Sequence, residues 1–565
     1  MRAGRSRIKW RPLPVAVEPA PIVRRPREPE LASVEALPDL LHPEPRYLLD
    51  REALNSQLAF AFAGGDAADG IRRVLMELDT APSDWRPESF ARHLFVDELV
   101  RTACRVELDK TPIEIDTHFL GQLLTRPPAD PAIRDFRRTI LAELVSAPNT
   151  RAELTELYRR MRHLRGMFLS LAPTSRQDLT RHRLEVLAAV RLVLEQMKQG
   201  FIESQSGLAR LSQFGDRALG SEVYRRLRDL LDHDQQRAHV LVQLRLGGDG
   251  KVRGVEVQSL VEVPNDSFRF SALRRWGMRL SLWVRGYGFS EEALIDQWID
   301  GVYQEVSPWL PALFQIFSHL ELYLAAMAFK DAAEKRGLAV CLPELSDEEG
   351  PLLEGLFNPL LFAQGVTPVP CHLERTGPGT TTIITGPNSG GKTRLLQAVG
   401  LTQLLAQVGF FVPAAKARLR PVPMIFCSLV QEETFDQGEG RLGTELLRIR
   451  RLFEEARPGA LVVLDELCSG TNPSEGEEIF MLVVSLLHEL GPETLVTSHF
   501  LDFASRLAET ADPRLRFLQV ELNEREQPTY AFVPGVARTS LATRAAARLG
   551  VTKDELLALI HRHSG

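Results

Sequence analysis

Hydrophobic positions divide the chain into two parts with different periodicities. Between residues 46 and 340, apolar side chains recur every three or four positions, which predicts amphipathic helices packed against one another. From residue 341, short β-branched runs alternate with helical patterns, which is typical of a parallel α/β sheet. The candidate strands are 381–385, 410–412, 424–429, 461–464, 495–498, 517–522 and 529–533. The predicted fold class is therefore mixed: a mostly α-helical region followed by an α/β domain.

Two segments depart from the helical pattern. Residues 1–45 are rich in proline and arginine, a composition that resists a packed core. We expect a disordered tail there, either a solvated extension or a contact to phosphates. Residues 240–263 alternate β-branched and polar positions around a glycine-rich turn, which predicts a β-hairpin. A hairpin carried on long helices would suit a contact with a partner.

Composition adds limits on compartment and partners. The five cysteines show no paired spacing, which predicts reduced thiols in a cytoplasmic protein. No uninterrupted apolar run approaches the ~18 residues of a membrane span, so no membrane is expected. The formal charge is −6, so nucleic-acid binding would need a local basic face. Basic and aromatic residues mix at 158–162 and 274–285, where phosphate contact and a solvated helix face are equally open.

A glycine-rich turn carries the first candidate chemistry. Residues 386–393 fit the pattern Gly-x-x-x-x-Gly-Lys-Thr, between a strand-like run and a helical pattern. Glycines let backbone N–H groups face phosphate oxygens, Lys392 supplies a charge, and the Thr393 hydroxyl suits Mg²⁺. We therefore expect ATP and Mg²⁺ as cofactors. The predicted nucleotide-binding residues are Gly386, Pro387, Asn388, Ser389, Gly390, Gly391, Lys392 and Thr393.

Two carboxylates follow the apolar run 460–464. Asp465 is predicted to hold Mg²⁺ together with Thr393, and Glu466 to activate the attacking water. An acidic pair here favours hydrolysis and disfavours a small-molecule kinase. His499 follows another apolar run, so we expect it beside the phosphate loop, sensing the γ-phosphate or orienting water. The predicted catalytic residues are Glu466, His499 and Lys392.

Four motifs in order make this sequence resemble the ATPase domain of the MutS family. They are Gly-Pro-Asn-Ser-Gly-Gly-Lys-Thr at 386–393, Gly-Phe-Phe-Val-Pro-Ala at 409–414, Leu-Asp-Glu-Leu-Cys-Ser-Gly-Thr-Asn-Pro-Ser-Glu-Gly at 464–476 and Thr-Ser-His at 497–499. The resemblance implies a P-loop ATPase domain over 341–565 that ends in dimerisation helices. It also implies core and lever helices over 46–340, with the 240–263 hairpin as a possible clamp.

The resemblance implies a homodimer in which each nucleotide site is completed by the partner, with residues 470–472 at the seam. Family members carry a Ser-Thr pair that reaches the partner's γ-phosphate, and this chain has Gly440 and Arg441 there. We expect Arg441 to bind that phosphate in trans. The alternative is an exposed arginine at a helix start.

Two functions remain open from the sequence. The first is a DNA-binding ATPase that clamps duplex or irregular DNA, including mismatched or branched forms, in repair or recombination. The second is an ATP-switched protein-interaction module without nucleic-acid binding, which fits the acidic net charge. We expect no counterpart of the N-terminal mismatch-recognition domain or the C-terminal Smr nuclease domain that other family members carry.

Overall fold

The computed structural model describes most of the chain. The described residues are 33–171, 173, 175–233, 239–246, 252–261, 291–347, 350–429, 440–468, 472–538, 556–557 and 561. They form a helical region followed by a region built on a parallel sheet, which confirms the mixed fold class.

Helices account for most of the first region, and several begin at a capping side chain. Asp50, Asp116, Asp130 and Ser175 each accept a hydrogen bond from a backbone N–H of the helix that follows. The helices are α1 (Arg51–Phe62), α2 (Ala68–Met76), α3 (Val96–Thr102), α4 (Thr117–Thr125), α5 (Pro131–Ser146), α6 (Pro148–Leu169), α7 (Arg176–Gly200), α8 (Ala209–Gly220), α9 (Glu222–His233), α10 (Glu291–Val306) and α11 (Leu310–Glu334).

Helix α11 is the centre of the helical region. Its residues are buried almost all round, and the ring of Phe317 stacks on Tyr158 of α6 at 4.8 Å between centroids. The segment Ile295–Glu334 is long and apolar enough to cross a membrane by length and composition alone, and 94% of its most apolar window is buried. A core helix meets the same criteria, and the packing of α11 accounts for its composition.

Residues 33–45 belong to the packed helical region, so the prediction of a disordered tail is wrong for them. Leu37, Leu40 and Leu41 are buried. The Tyr323 hydroxyl donates to the Leu40 carbonyl, and Arg210 donates to three carbonyls of this segment. Proline is common both in disordered segments and in extended segments that pack against a core. The proline content of this segment therefore did not distinguish the two. Residues 1–32 lie outside the described part of the chain.

The predicted hairpin is confirmed in its two strands. A short ladder of β1 (Glu107–Leu108) and β2 (Thr111–Pro112) precedes it in the chain. The hairpin strands are β3 (His239–Leu246) and β4 (Val252–Val261), which pair antiparallel from His239 opposite Val261 to Leu246 opposite Val252. The turn between them lies outside the described residues.

Two sheets form the second region. Its strands are β5 (Glu344–Leu345), β6 (Leu352–Leu356), β7 (Cys371–Glu374), β8 (Thr381–Thr385), β9 (Lys416–Leu419), β10 (Ile425–Ser428), β11 (Leu461–Leu464), β12 (Glu493–Thr497), β13 (Leu515–Leu522) and β14 (Pro528–Pro534). The larger sheet has the order β10-β11-β12-β8-β13-β14, parallel except for β14, and the smaller has the order β5-β9-β6-β7.

Helices cover the larger sheet and fill its connections, as parallel strands require. They are α12 (Lys392–Val408), α13 (Gly440–Glu455), α14 (Pro473–Leu490) and α15 (Leu501–Glu509). Six of the seven predicted strands form, with ends shifted by up to two residues. The prediction of a strand at 410–412 is wrong, because Val412 forms only an isolated bridge with Cys341. The four strands of the smaller sheet, β5, β6, β7 and β9, were missed.

A buried ion pair fixes the smaller sheet against the larger one. Arg375 directly follows β7 and donates two hydrogen bonds, of 2.9 and 2.8 Å, to the carboxylate of Glu493 in β12. Its third nitrogen donates to Gln403 of α12 at 2.8 Å. Because both charged side chains are almost fully buried, the loss of either partner would leave a buried charge unpaired. This triad therefore holds β7, β12 and α12 in one arrangement.

Candidate functional site

The glycine-rich turn lies between central strand β8 and helix α12. Gly386 has φ +134° and Gly391 has φ +85°, two conformations that side-chain-bearing residues rarely adopt. A Cβ atom on Gly386 or on Gly390 would lie 2.7 Å from Cγ2 of Val520 in the adjacent strand β13. Gly391 caps α12 without a side-chain hydrogen bond, so the first N–H groups of the helix and its positive end face the turn. This geometry suits an anion.

The Lys392 side chain folds back over the turn. Its ammonium donates to the carbonyl oxygens of Gly386 and Pro387 at 2.9 and 3.1 Å, and the residue is 4% exposed. Burial lowers the pKa of Lys392, while the charges of Glu466 and Asp465 oppose that shift. A phosphate would oppose it further. The site therefore holds a poorly hydrated cation that gains from an anionic ligand.

Asp465 joins three strands at the end of the sheet. Its carboxylate accepts one hydrogen bond from the Thr393 hydroxyl and one from the Thr497 hydroxyl, both at 2.5 Å. The Asp465 N–H donates to the Ser428 carbonyl at 2.9 Å. Residues of α12 and β12 thus hold the Asp465 carboxylate, and a residue of β10 holds its backbone. Thr393 and Asp465, both predicted metal ligands, lie together as expected, and their oxygens are the kind that Mg²⁺ prefers.

The chain turns sharply directly after Asp465. Glu466 has φ +49° and Cys468 has φ +63°, left-handed conformations that cost non-glycine residues about 1–2 kcal/mol each. The Glu466 N–H donates to the Thr497 hydroxyl oxygen at 2.8 Å. Thr497 therefore contacts both acidic residues, donating to the Asp465 side chain and accepting from the Glu466 backbone. These two contacts hold the Asp465 side chain and the Glu466 backbone against the end of β12.

His499 lies near the same edge of the sheet but outside the cluster of contacts around Asp465. The N–H of its neighbour Ser498 donates to the Ile384 carbonyl at 3.0 Å, which fixes the end of β12 against β8. The His499 side chain is exposed, and its ring lies 4.3 Å from that of Phe500. Its role stays a prediction.

A cavity of about 870 Å³ opens beside the turn, within the size range of ligand pockets. The glycine turn and the start of α12 contribute the polar residues Asn388, Ser389, Lys392 and Thr393 to its lining. The rest of the lining is mostly apolar and includes four aromatic side chains. Its further lining includes Phe95, Asn358, Leu361, Gln364, Val366, Val369, Arg394, Leu429, Tyr530 and Phe532. A ligand that joins a phosphate chain to a flat apolar group fits this composition.

Three contributors to the site were missed by sequence reasoning. Thr497 was identified only as part of a motif. Asn358 donates its side-chain amide to the Arg394 carbonyl at 2.9 Å and to Gln397 at 3.2 Å, which fixes the first turn of α12. Tyr530 lines the cavity, and its ring would lie 3.3 Å from a Cβ on Gly391. The stretches Asn358-Pro359 and Thr529-Tyr530 also resemble the MutS family, a signal that could have identified Asn358 and Tyr530.

Several predicted features lie outside the described side chains. Helix α13 begins at Gly440, so residue 441 lies in its first turn. The side chain of Arg441 is outside the described part of the chain. Residues 469–471 and most of the predicted dimerisation segment after 538 are outside it too. Asn472, the last of the predicted seam residues, caps α14 by accepting from the Ser474 N–H at 3.3 Å.

The basic stretch at 158–162 is engaged within the protein. Tyr158 is fully buried and its hydroxyl donates to Glu321 at 2.9 Å. Arg159 pairs with Asp109 at 3.2 Å, and Arg160 pairs with Glu156 at 2.8 Å. The structure therefore favours the solvated helix face over a phosphate contact for this stretch. The second basic stretch, 274–285, lies outside the described residues.

The strand order, the glycine turn and the neighbouring Asp465 together define an α/β domain with a turn suited to an anion at the carboxyl end of its parallel strands. Residues 382–556 match the family model described as MutS domain V. The resemblance to a MutS-family ATPase is thereby confirmed for this part of the chain.

Known relatives agree with this assignment. The chain is 33% identical over 252 residues to the Endonuclease MutS2 of Thermomicrobium roseum, covering 42% of this chain and 31% of that protein. It is 27% identical over 275 residues to the Endonuclease MutS2 of Caldanaerobacter subterraneus subsp. tengcongensis, covering 48% of this chain and 34% of that protein. It is 33% identical over 220 residues to the Endonuclease MutS2 of Pelotomaculum thermopropionicum, covering 37% of this chain and 27% of that protein. The chain thus spans about a third of the length of these relatives.

Replacement of Thr497 by valine is expected to lower the free energy of unfolding by about 1–3 kcal/mol, because partly buried hydrogen-bonding groups of Asp465 and Glu466 lose their partner. Thr494 offers a matched control on the same strand, because it is equally buried and its hydroxyl has no hydrogen-bond partner among the described residues. Thr494→Val is expected to cost nothing. Urea unfolding followed by circular dichroism would measure both, and equal losses would contradict the role of Thr497.

Proposed function

We propose that this protein is an ATPase that hydrolyses ATP to ADP and phosphate with Mg²⁺. The observation that carries the proposal is the cluster of Lys392, Thr393, Asp465 and Thr497 beside a glycine turn and a long cavity. The membership of residues 382–556 in MutS domain V supports the same function.

Each residue has a separate role in this proposal. The N–H groups of residues 388–392 and the Lys392 ammonium bind the β- and γ-phosphates. Thr393 and Asp465 would hold Mg²⁺, which neutralises phosphate charge when bound. Glu466 accepts the proton of the attacking water, and Thr497 orients both acidic residues. His499, exposed at the same edge of the sheet, would sense the γ-phosphate or orient the water.

We further propose that the protein binds duplex or irregular DNA as a nucleotide-controlled homodimer, in repair or recombination. The names of the relatives as MutS2 proteins support this proposal. The β3–β4 hairpin is the proposed clamp, and Arg441 at the start of α13 the proposed contact to the partner's γ-phosphate. The endonuclease activity in the relatives' names does not extend to this proposal, because the aligned regions cover only about a third of those proteins.

A second function has an observation in its favour. The basic stretch at 158–162 is committed to ion pairs with Glu156 and Asp109, so it offers little charge to DNA. An ATP-switched module that binds another protein through the same helical region would require no basic face. The two functions differ in their response to salt.

The substitution Glu466→Gln is expected to lower ATP turnover by at least about 100-fold and to leave ATP affinity unchanged, because an amide keeps the shape of the carboxylate without its basicity. Glu509→Gln, an exposed carboxylate at the end of α15, is the matched control and should turn over normally. Steady-state phosphate release and calorimetric ATP titration would measure both parameters. Turnover retained by Glu466→Gln would place the base elsewhere.

The substitution Arg441→Ala is expected to reduce turnover by about 1,000-fold, as the loss of a trans-acting arginine does in other phosphoryl-transfer enzymes. Mixing Arg441→Ala with inactive Lys392→Ala should restore turnover, because one site of the mixed dimer then has both residues. Arg450→Ala, an exposed arginine on the same helix, is the control. Normal turnover by Arg441→Ala alone would exclude the trans role.

Affinity for DNA is expected to fall with added salt, with a log–log slope near roughly −0.9 for each phosphate neutralised on a duplex. Filter binding of a duplex, a branched junction and a single strand at two salt concentrations, with and without a non-hydrolysable ATP analogue, would measure it. A failure to bind any of the three at low salt would exclude the DNA-binding function and leave the protein-interaction module.

A further inference from the structure

The helical region reaches the candidate nucleotide cavity through residues 87–102. Leu94 is buried against α12, where a Cβ on Gly400 would lie 2.6 Å from its Cδ2 atom. Only glycine at position 400 allows this close approach without a shift of one partner. The segment therefore packs directly on the helix that begins with Lys392.

Hydrogen bonds tie the same segment to two further elements of the sheet region. The Leu429 N–H at the end of β10 donates to His93 Nδ1 at 3.4 Å. The Ser89 hydroxyl donates to the Glu455 carboxylate at 2.6 Å, and Arg451 donates to the Glu88 carbonyl at 3.3 Å. The segment is thus held by α12, β10 and α13, so its position relative to the glycine turn is well defined.

Phe95 is the residue of this segment that faces the cavity. Its neighbours Leu94 and Val96 are both buried, whereas Phe95 is 41% exposed and lines the same cavity as Lys392 and Tyr530. Its backbone is left-handed, with φ +52° and ψ +45°. This conformation is costly for a residue with a bulky side chain, and it lets both neighbours enter the core while Phe95 projects outward. Strain of this kind persists where the surrounding structure imposes it and is concentrated at functional sites.

We propose that Phe95 stacks on the base of the bound nucleotide, so that the helical region supplies part of the ATP site. This inference rests on the proposed function. The glycine turn and Lys392 would bind the phosphates, and the wall of the same cavity includes the aromatic side chains of Phe95, Tyr530 and Phe532. Every base offers a π-face to an aromatic side chain. Bound nucleotide would then contact the helical region directly, through the segment 87–102.

Binding of two ligands in the presence of Mg²⁺ tests the proposal: ATP, and inorganic tripolyphosphate, which has no base. Phe95→Ala is expected to weaken ATP binding about tenfold, the loss of one stacked base, and to leave tripolyphosphate binding unchanged. Phe95→Tyr should bind ATP normally, because it keeps the ring. Phe60→Ala, which removes another exposed aromatic ring outside the cavity, is the control and should bind both ligands normally.

A second readout separates base contact from a purely structural role. Phe95→Gly is expected to weaken ATP binding as Phe95→Ala does, yet to raise the melting temperature of the ligand-free protein, because glycine adopts a positive φ without strain. Normal ATP affinity in Phe95→Ala, or equal losses for ATP and tripolyphosphate, would overturn the proposal while the proposed function stands. Absence of ATP binding by the unsubstituted chain would instead contradict the proposed function, and this inference with it.

Discussion

The two hydrogen bonds that Asp465 accepts, from Thr393 and Thr497, are the interaction on which the rest of the site depends. They connect the first turn of α12 with the ends of β11 and β12. Because parallel strands end at one edge of the sheet, residues far apart in sequence meet there. The buried pair of Arg375 and Glu493 holds β12 and α12 together farther along the same elements. The fold thus holds Asp465 and Glu466 against the glycine turn, as preorganised electrostatic stabilisation requires.

The helical region is joined to this site by direct packing. Helix α12 contacts Leu94 at Gly400, and its last carbonyl, that of Val408, accepts a hydrogen bond from buried Arg137 at 3.3 Å. The middle and the C-terminal end of the helix that carries Lys392 are therefore in direct contact with the helical region.

Local pattern was enough to predict the residue types that meet at the site. The glycine turn, the apolar strand before Asp465 and the strand before Thr497 are periodic and short, so their positions followed from the sequence. The contribution of Phe95 could not be predicted, because it depends on a left-handed backbone and on packing against a helix about 300 positions away. Similarly, the proline-rich composition of residues 33–45 did not predict that three leucines of this segment are buried, because their burial depends on the folded core. The extra strand β9 depends on its neighbours β5 and β6 rather than on its own four residues.

The central claim is that Lys392, Thr393 and Asp465 together bind Mg²⁺ and the phosphates of ATP. A crystal structure of the Glu466→Gln variant with ATP and Mg²⁺ tests it most directly. The account predicts that the Lys392 ammonium leaves the carbonyls of Gly386 and Pro387 for a phosphate oxygen, at about 2.7–3.2 Å. It also predicts a metal ion beside the oxygens of Thr393 and Asp465. A nucleotide bound away from residues 386–393, or a Lys392 ammonium that stays on the two carbonyls, would contradict it.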